Sequence, residues 1–315
     1  MMINILLVAI GFFLLIKGAD VFVDAISETS INLKIPKIII SLTIVAFGTS
    51  APELFISFQG LLNGTSDVVF ANVVGSTIVN TMLVIGVAAI VKPIKIKNET
   101  IKKQLPLHFI TILVFSILLL DSIFNHTINT ISRSDGIILF LIFILFIYYI
   151  YKFNSKLTFF YKEKPRWNIK KAIVLSIVSL LAIAIGSNLA VDNCTIIAHK
   201  LNISEKLITM LILVIGTSTP EIIMGYTSAK KGEFDIILGN IIGTNIFNIG
   251  LVLGLPVILY GNVSTYSFNI IDMFFMILSG GLLYLFAKDD RKIDRFEGIT
   301  MISIFIIYYI YLFIS

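Results

Sequence analysis

Long apolar runs separated by short polar connections leave this chain few ways to fold. A helix needs about 20 apolar residues to cross a bilayer, and ten runs approach that length. Their approximate spans are 2–26, 37–60, 67–91, 104–124, 134–154, 169–198, 207–229, 234–260, 267–287 and 297–314. The runs are continuously hydrophobic rather than alternating, which favours helices over a barrel. Since only 14% of residues are charged, against about 25% in soluble proteins, we predict an all-α integral membrane protein with ten transmembrane helices.

The basic residues are divided unequally between two sets of connections. If the N-terminus is placed outside, 20 of the 24 Lys and Arg residues lie at cytoplasmic connections and three lie outside. Cytoplasmic loops of membrane proteins are enriched in positive charge. We therefore predict a multi-pass protein of the cell membrane with both termini on its outer side. The basic residues form no single stripe, so the net charge of +5 indicates the lipid bilayer as a partner and not a nucleic acid.

The second half of the chain repeats the first at a constant offset of 168 residues. The preserved residues are mostly non-apolar, and they include Gly18 with Gly186, Asp24 with Asp192, Asn72 with Asn240, Gly75 with Gly243, Asn80 with Asn248, and Gly86 with Gly254. Each half holds five predicted crossings, an odd number, so the second repeat enters the membrane from the opposite side. The predicted organisation is a first five-helix repeat at 1–154, a short cytoplasmic linker at 155–168 and a second, inverted five-helix repeat at 169–315.

Each repeat contains the sequence Gly-Thr-Ser-x-Pro-Glu, which ends at Glu53 in the first repeat and at Glu221 in the second. A carboxylate at the centre of a membrane helix costs about 3 kcal/mol or more. Neither run has a Lys or Arg in its core, so a bound cation is the expected partner. Pro52 and Pro220 lack an N–H and clash with the carbonyl four residues earlier, which predicts a kink and a free carbonyl oxygen in each helix.

Hydroxyl and amide side chains surround the two glutamates in sequence. Those beside the motifs are Thr49, Ser50, Thr217 and Ser218, and those one run later, spaced for one helix face, are Asn72, Ser76, Asn80, Asn240, Thr244 and Asn248. Hard cations such as Ca²⁺ take six to eight oxygen ligands, and Na⁺ also prefers oxygen. No Cys or His lies near the motifs, which argues against Zn²⁺ or Cu⁺. We expect Asn72 and Asn240 to be mainly structural.

These paired motifs resemble the α-repeats of the cation/Ca²⁺ exchanger superfamily, and among its members the chain is most similar to prokaryotic sodium/calcium exchangers. The resemblance covers nearly the whole chain and implies an antiporter that exchanges Na⁺ for Ca²⁺ by alternating access, with one Ca²⁺ site and three Na⁺ sites. It implies Ca²⁺ ligation by Glu53, Glu221 and the carbonyls of Thr49 and Thr217, and Na⁺ ligation that adds Ser50, Ser76, Ser218, Thr244 and the carbonyls of Ala46 and Val214, with Asn80 and Asn248 lining the middle site.

Two positions depart from the pattern of the family. Val214 stands where the first repeat has Ala46, which keeps a carbonyl ligand but adds bulk. Asn248 stands where potassium-dependent members carry Asp, which argues against K⁺ co-transport. H⁺-coupled relatives have Gly-Asn before the glutamate, so a Ca²⁺/H⁺ antiporter is the second hypothesis and a cation channel the third.

Charge favours exchange over symport. One Ca²⁺ balances two ionised carboxylates, so Na⁺ ions that share these ligands exclude it. The stoichiometry implied by the family, three Na⁺ per Ca²⁺, would move one net charge per cycle and would make Ca²⁺ extrusion electrogenic.

The remaining polar residues are expected to have other roles. A structural or gating-helix role is expected for Asp20, Asp24 and Asp192, with Lys17 near enough to pair with Asp20. His108, near the end of its run, is expected at the interface or in solvent. The single cysteine, Cys194, excludes a disulfide framework and a Cys-based metal cluster. The sequence indicates no enzymatic activity, no cofactor and no protein partner.

Overall fold

The computed structural model describes residues 2–62, 64, 66–120, 129–154, 164–201, 214–265 and 270–314. The helices of the first half are α1 (Met2–Leu33), α2 (37–62), α3 (Ser66–Val91), α4 (Thr100–Leu118) and α5 (Arg133–Asn154). Those of the second half are α6 (Ile169–Lys200), α7 (described over 214–231), α8 (Phe234–Tyr260), α9 (Ile270–Lys288) and α10 (Arg295–Ile314). Four short strands are β1 (Ile94–Lys95), β2 (Asn129–Ile131), β3 (Val263–Thr265) and β4 (Lys292–Ile293).

Eight of the described helices are long and apolar enough to cross a membrane, namely α1, α3, α4, α5, α6, α8, α9 and α10. The two helices that carry the Gly-Thr-Ser-x-Pro-Glu motifs are not among them. The apolar part of α2 is Lys37–Ala51, and the structure describes α7 only from Val214. The predicted run 207–229 therefore lies partly outside the described residues.

Burial separates a central pair of helices from the periphery. In the most apolar windows of α3 and α8, 83% of the residues are buried, whereas the values for α1, α5, α6 and α10 lie between 22% and 33%. The peripheral helices present large apolar side chains outward, such as Phe13, Leu145 and Ile307. In water such a surface would be unfavourable, so these faces are suited to contact lipid, and the polar side chains of α3 and α8 point into the protein.

Helices α1 and α6 pack against each other at two glycines. A Cβ atom added at Gly11 would lie 2.7 Å from the carbonyl oxygen of Gly186, and one added at Gly186 would lie 2.7 Å from that of Gly11. Near one end of the pair, Asn4 Nδ2 donates to Asn193 Oδ1 at 3.0 Å. Near the other end, Glu28 accepts a hydrogen bond of 2.7 Å from the backbone N–H of Arg166. The last residues before α6 are thus fastened to α1.

Asp20 and Asp24 of α1 form ion pairs with Lys231 at the end of α7, each at 2.8 Å. Lys17 lies near enough to act electrostatically on Asp20, as expected, but the ion pair of Asp20 is formed with Lys231. The reason is tertiary: the end of α7 lies beside α1 and brings a lysine between the two carboxylates.

Two small antiparallel sheets join the halves of the chain. Strand β1 pairs with β4 in a register that places Ile94 opposite Ile293, and β2 pairs with β3, with Asn129 opposite Thr265. The connection after α3 therefore contacts the connection after α9, and the strand before α5 contacts the strand after α8. The predicted sidedness places each of these pairs of connections on one side of the membrane.

Candidate cation-binding site

The two glutamates of the repeated motifs are buried in the protein interior. Glu53 on α2 and Glu221 on α7 are each 1% exposed, and they are close enough to repel each other electrostatically. Among the described residues, no Lys or Arg forms a salt bridge with either carboxylate. Two like charges without a basic partner are unfavourable in a low-dielectric interior, which makes this place suited to a cation.

Several buried polar atoms around the glutamates have no hydrogen-bond partner among the residues that the structure describes. They are the hydroxyls of Ser50, Ser76 and Ser218, Oε2 of Glu53, both carboxylate oxygens of Glu221, Oδ1 of Asn80 and both amide atoms of Asn248. More than about 90% of buried polar groups in native proteins are hydrogen-bonded, so such a concentration needs a partner from outside the chain. All but one of these atoms are oxygens, the ligand atoms that Ca²⁺ takes.

Side chains of α2 and α8 meet directly at the site. The hydroxyl oxygens of Thr49 and Thr244 are 3.3 Å apart, and the Thr49 hydroxyl donates to Asn240 Oδ1 at 3.4 Å. Gly243 permits this approach, because a Cβ there would lie 2.6 Å from that of Ala46. The first motif is thus held against the second half of the chain.

The amides of Asn72 and Asn240, one helical turn before Ser76 and Thr244, bind other protein groups. Asn72 Nδ2 donates to the backbone carbonyl of Glu53 at 3.3 Å, and Asn240 Oδ1 accepts from both Thr49 and Thr244 at 3.4 Å. These contacts position groups that face the glutamates.

Helical irregularities occur at equivalent positions of α3 and α8. Asn80 is the second residue of a π-helical stretch, Val79–Val84, and Asn248 is the first residue of another, Asn248–Leu253. Short π-helical insertions are rare and are often found at functional sites. They change the register of the side chains that follow, so the i, i+4 spacing that leads to the asparagines does not continue beyond them.

The two motif helices differ in continuity. Helix α2 is α-helical from Ala46 to Leu62, through position 52, after a π-helical turn at Ser41–Val45. Helix α7 is interrupted at Ser218, and a new α-helix begins at Thr219. The carbonyl of Gly216, four residues before Pro220, accepts a hydrogen bond of 3.3 Å from the Ser187 hydroxyl of α6. In the second repeat, a carbonyl freed by proline is therefore available to a side chain.

A cavity of about 70 Å³ lies between α6 and the two motifs. Its lining includes Gly48, Thr49, Gly216, Thr217 and Asn188. A water molecule needs about 10–15 Å³ measured in this way, so several waters or a partly hydrated ion would fit beside the Gly-Thr sequences.

The predicted ligands come together from four helices, α2, α3, α7 and α8. Ten of them are buried: Ala46, Thr49, Ser50, Glu53, Ser76, Asn80, Ser218, Glu221, Thr244 and Asn248. Thr217 is partly exposed, and the side chain of Val214 lies outside the described residues. Within the described part of the chain, no group of three or more His, Cys, Asp or Glu side chains could hold a metal ion. The site combines two carboxylates with neutral oxygens instead.

Sequence reasoning assigned His108 wrongly and overlooked Asn245. His108 is 1% exposed rather than interfacial, because this part of α4 packs against α8, and its Nε2 lies 2.9 Å from Asn245 Nδ2. Asn245 in turn bonds to Asn80. Its position, three residues before Asn248 on one helix, was a signal that it faces the same region.

Comparisons with known proteins agree with this geometry. A family model described as sodium/calcium exchanger protein matches residues 3–152 and 171–314. The inner membrane protein YrbG of Escherichia coli is 33% identical over 263 residues, covering 80% of this chain and 79% of YrbG. The sodium/calcium exchanger MaX1 of Methanosarcina acetivorans is 28% identical over 352 residues and 99% of each chain. The Ca(2+)/H(+) antiporter ChaA of Bacillus subtilis is 23% identical over 276 residues, covering 82% of this chain and 78% of ChaA.

The fold is also similar to that of a solved exchanger. The structure of the sodium-calcium exchanger NCX_Mj soaked with 10 mM Na⁺ and 10 mM Sr²⁺ superposes with a TM-score of 0.85. The sequence identity is 28%, and the match covers 100% of this chain and 98% of NCX_Mj.

Proposed function

This chain belongs to the sodium/calcium exchanger family, and from that premise we propose that it exchanges Na⁺ for Ca²⁺ across the membrane by alternating access. The observation that carries the proposal is the pair Glu53 and Glu221, buried together without a basic partner among the described residues. One Ca²⁺ neutralises two ionised carboxylates, and Na⁺ ions that use the same oxygens compete with it. Mutual exclusion at shared ligands produces antiport.

The proposed ligand set is the one that the resemblance to the family implies. Ca²⁺ would bind Glu53, Glu221 and the backbone carbonyls of Thr49 and Thr217. Na⁺ ions would add Ser50, Ser76, Ser218, Thr244 and the carbonyls of Ala46 and Val214, with Asn80 and Asn248 around the middle site. The support is that Ser50, Ser76, Ser218, Asn80 and Asn248 all keep buried side-chain atoms without a protein partner.

The proposed architecture is ten transmembrane helices in two inverted repeats, 1–154 and 169–315, joined by the linker 155–168, part of which lies outside the described residues. Equivalent glycines support it. A Cβ at Gly86 would lie 2.9 Å from the carbonyl oxygen of Gly298, and one at Gly254 would lie 3.1 Å from that of Gly136. Helices α3 and α8 thus each pack a matching glycine against a glycine of the other half.

We place both termini outside, because 20 of the 24 basic residues then lie at cytoplasmic connections. The proposed cycle admits three Na⁺ and extrudes one Ca²⁺, which moves one positive charge inward.

A Ca²⁺/H⁺ antiporter is the second candidate. The similarity to ChaA favours it, and a proton on each of two carboxylates that have no basic partner among the described residues would satisfy them as well as a cation does. The Gly-Thr-Ser sequence before each glutamate favours Na⁺, since its hydroxyls supply neutral oxygen ligands that a proton does not need.

The test is Ca²⁺ uptake by proteoliposomes that contain the purified protein. Vesicles loaded with Na⁺ and diluted into Na⁺-free buffer should accumulate ⁴⁵Ca²⁺, and vesicles without the protein should not. Acid-loaded vesicles with equal Na⁺ on both sides should accumulate little. If uptake depends on the pH gradient and not on the Na⁺ gradient, the protein is an H⁺-coupled antiporter and the proposed Na⁺ coupling is wrong.

A further inference from the structure

We propose that Asn245 and His108 are positioning residues that determine which end of the Asn80 amide faces the cations. The inference rests on the proposed function, because Asn80 is one of its proposed site residues. Three helices supply a chain of hydrogen bonds. Asn80 Nδ2 on α3 donates to Asn245 Oδ1 on α8 at 3.2 Å, and Asn245 Nδ2 lies 2.9 Å from His108 Nε2 on α4. All three side chains are at most 1% exposed.

The direction of this chain follows from the hydrogens that each group has. The amide nitrogen of Asn245 contacts Thr81 Oγ1 at 2.9 Å and His108 Nε2 at 2.9 Å, so each of its two hydrogens has an acceptor. With the Asn245 amide in this orientation, His108 accepts at Nε2 and carries its hydrogen on Nδ1, a buried atom that has no partner among the described residues. The oxygen of Asn245 remains to accept the N–H of Asn80.

The consequence for Asn80 is a fixed orientation. Its nitrogen donates to Asn245 Oδ1, and its own Oδ1 has no partner in the part of the protein that the structure describes. A cation binds a carbonyl oxygen and is repelled by an amide N–H. This orientation therefore turns Asn80 Oδ1 toward the proposed cation site. The reverse direction of the chain would turn the Asn80 nitrogen toward the cations instead.

Among the described residues, Asn248 has no equivalent chain of hydrogen bonds. The residue that corresponds to Asn245 at the offset of 168 is Thr77, whose hydroxyl donates to the Val73 carbonyl of its own helix at 2.7 Å. The residue that corresponds to His108 is Met276, which is apolar and buried. Both amide atoms of Asn248 accordingly lack a partner within the described ranges. This series of hydrogen bonds therefore serves Asn80 and not Asn248, so it is not explained by the duplication.

Four variants test the proposal in the full-length protein. His108→Leu removes the acceptor, His108→Gln keeps an acceptor oxygen, and Asn245→Thr introduces the residue found at the equivalent position of the first repeat. Thr111→Val is the matched control on α4, because its hydroxyl bonds only to the Leu107 carbonyl among the hydrogen bonds described for it, at 2.8 Å. The readout is the KM for Ca²⁺ and the maximal rate of Na⁺-driven uptake in proteoliposomes.

Loss of an outer-shell partner typically lowers metal affinity by about 10-fold to 100-fold. His108→Leu and Asn245→Thr should each raise the KM by about tenfold and change the maximal rate by less than about twofold. The double variant should be no worse than either single variant, since both break one chain. His108→Gln should stay within about twofold of the wild type, and Thr111→Val should match it.

A wild-type KM in His108→Leu would overturn the proposal. An equal rise in KM for His108→Gln would also overturn it, because the volume of the ring and not its hydrogen-bond acceptor would then determine the KM. The proposal would also be overturned if the rise in KM of the double variant equalled the product of the rises in the two single variants. If His108→Leu does not fold, Asn245→Thr decides by the same criterion. Failure of the proposed function is recognised separately, by the absence of Na⁺-driven uptake in the wild type.

Discussion

Glu53 and Glu221 are charged groups placed where the protein supplies no opposite charge among its described residues. Removing one partner of a buried ion pair typically costs about 3–5 kcal/mol, so these two carboxyl groups, when ionised, need a cation beside them. Each carboxylate should be needed, because either one alone leaves a divalent ion half balanced.

Glu53→Gln and Glu221→Gln should each lower the rate of Na⁺-driven Ca²⁺ uptake by more than about 100-fold, since about 3 kcal/mol of cation binding is lost. Glutamine keeps the volume of the side chain, so both variants should remain folded, as checked by size-exclusion chromatography and Tm. Glu99→Gln is the matched control, because it makes the same change at an exposed residue. Wild-type uptake in either motif variant would remove that glutamate from the site.

The sequence could predict the members of the site but not the hydrogen bonds among them. The glutamates, hydroxyls and asparagines stand out because polar residues are rare in apolar runs and recur after 168 residues. Nothing local marks His108, since its partner Asn245 is 137 residues away. The ion pair of Asp20 with Lys231 could not be predicted for the same reason, because the two residues are remote in sequence.

At the scale of elements, α1 and α6 depend on glycine where they pack together. Gly11 and Gly186 each leave no room for a side chain, because the atoms nearest to an added Cβ are backbone atoms at 2.7–2.9 Å. Backbone cannot move aside as the end of a flexible side chain can. This contact sets the separation of the two helices and holds α6 over the cavity beside the motifs.

Gly186→Ala should destabilise the protein, although alanine is favoured over glycine in an isolated helix by about 1 kcal/mol. Overpacking typically costs about 1–3 kcal/mol, and here it acts on backbone that cannot yield. The control is Gly281→Ala in α9, where the nearest atom to a new Cβ is 3.7 Å away, in ordinary contact. We expect a lower Tm in detergent for Gly186→Ala and an unchanged or higher Tm for Gly281→Ala. Equal Tm values would mean that α1 and α6 can move apart without a loss of stability.

The helices themselves could be predicted from apolar length, but their irregularities could not. The run 2–26 becomes a helix that ends at Leu33, because its polar end is satisfied by contacts: Ser30 donates to the Ile26 carbonyl and Glu28 binds the residues before α6. The π-helical stretches at Val79–Val84 and Asn248–Leu253 leave no trace in hydropathy. They depend on how α3 and α8 pack inside the protein, which is tertiary information.

For the molecule as a whole, the distribution of basic residues predicts which side faces the cytoplasm. Cys194→Ala supplies a background without thiols, in which Lys164→Cys and Lys200→Cys add one exposed thiol each. A membrane-impermeant maleimide applied to intact cells should label Lys200→Cys and not Lys164→Cys, and permeabilised cells should show labelling of both. The opposite pattern would reverse the topology and place both termini in the cytoplasm.

The charge moved per cycle is also a property of the whole molecule, because under the proposed Na⁺/Ca²⁺ exchange it depends on how many Na⁺ ions replace one Ca²⁺. Exchange of three Na⁺ for one Ca²⁺ moves one charge, which couples transport to the membrane potential by about 2.3 kcal/mol per 100 mV. That energy corresponds to about a 45-fold change in the Ca²⁺ ratio at equilibrium. An interior-negative potential then draws Na⁺ in and drives Ca²⁺ out.

In Na⁺-loaded proteoliposomes the sign is reversed, because Na⁺ leaves as Ca²⁺ enters. A K⁺ gradient directed inward with valinomycin makes the interior positive and should therefore increase Ca²⁺ uptake, whereas an outward K⁺ gradient should decrease it. Glu221→Gln vesicles, treated identically, control for leak driven by the potential alone. Uptake that does not respond to either K⁺ gradient would indicate electroneutral exchange of two Na⁺ for one Ca²⁺, in which the two carboxylates alternate between one divalent and two monovalent ions with no net charge crossing the membrane.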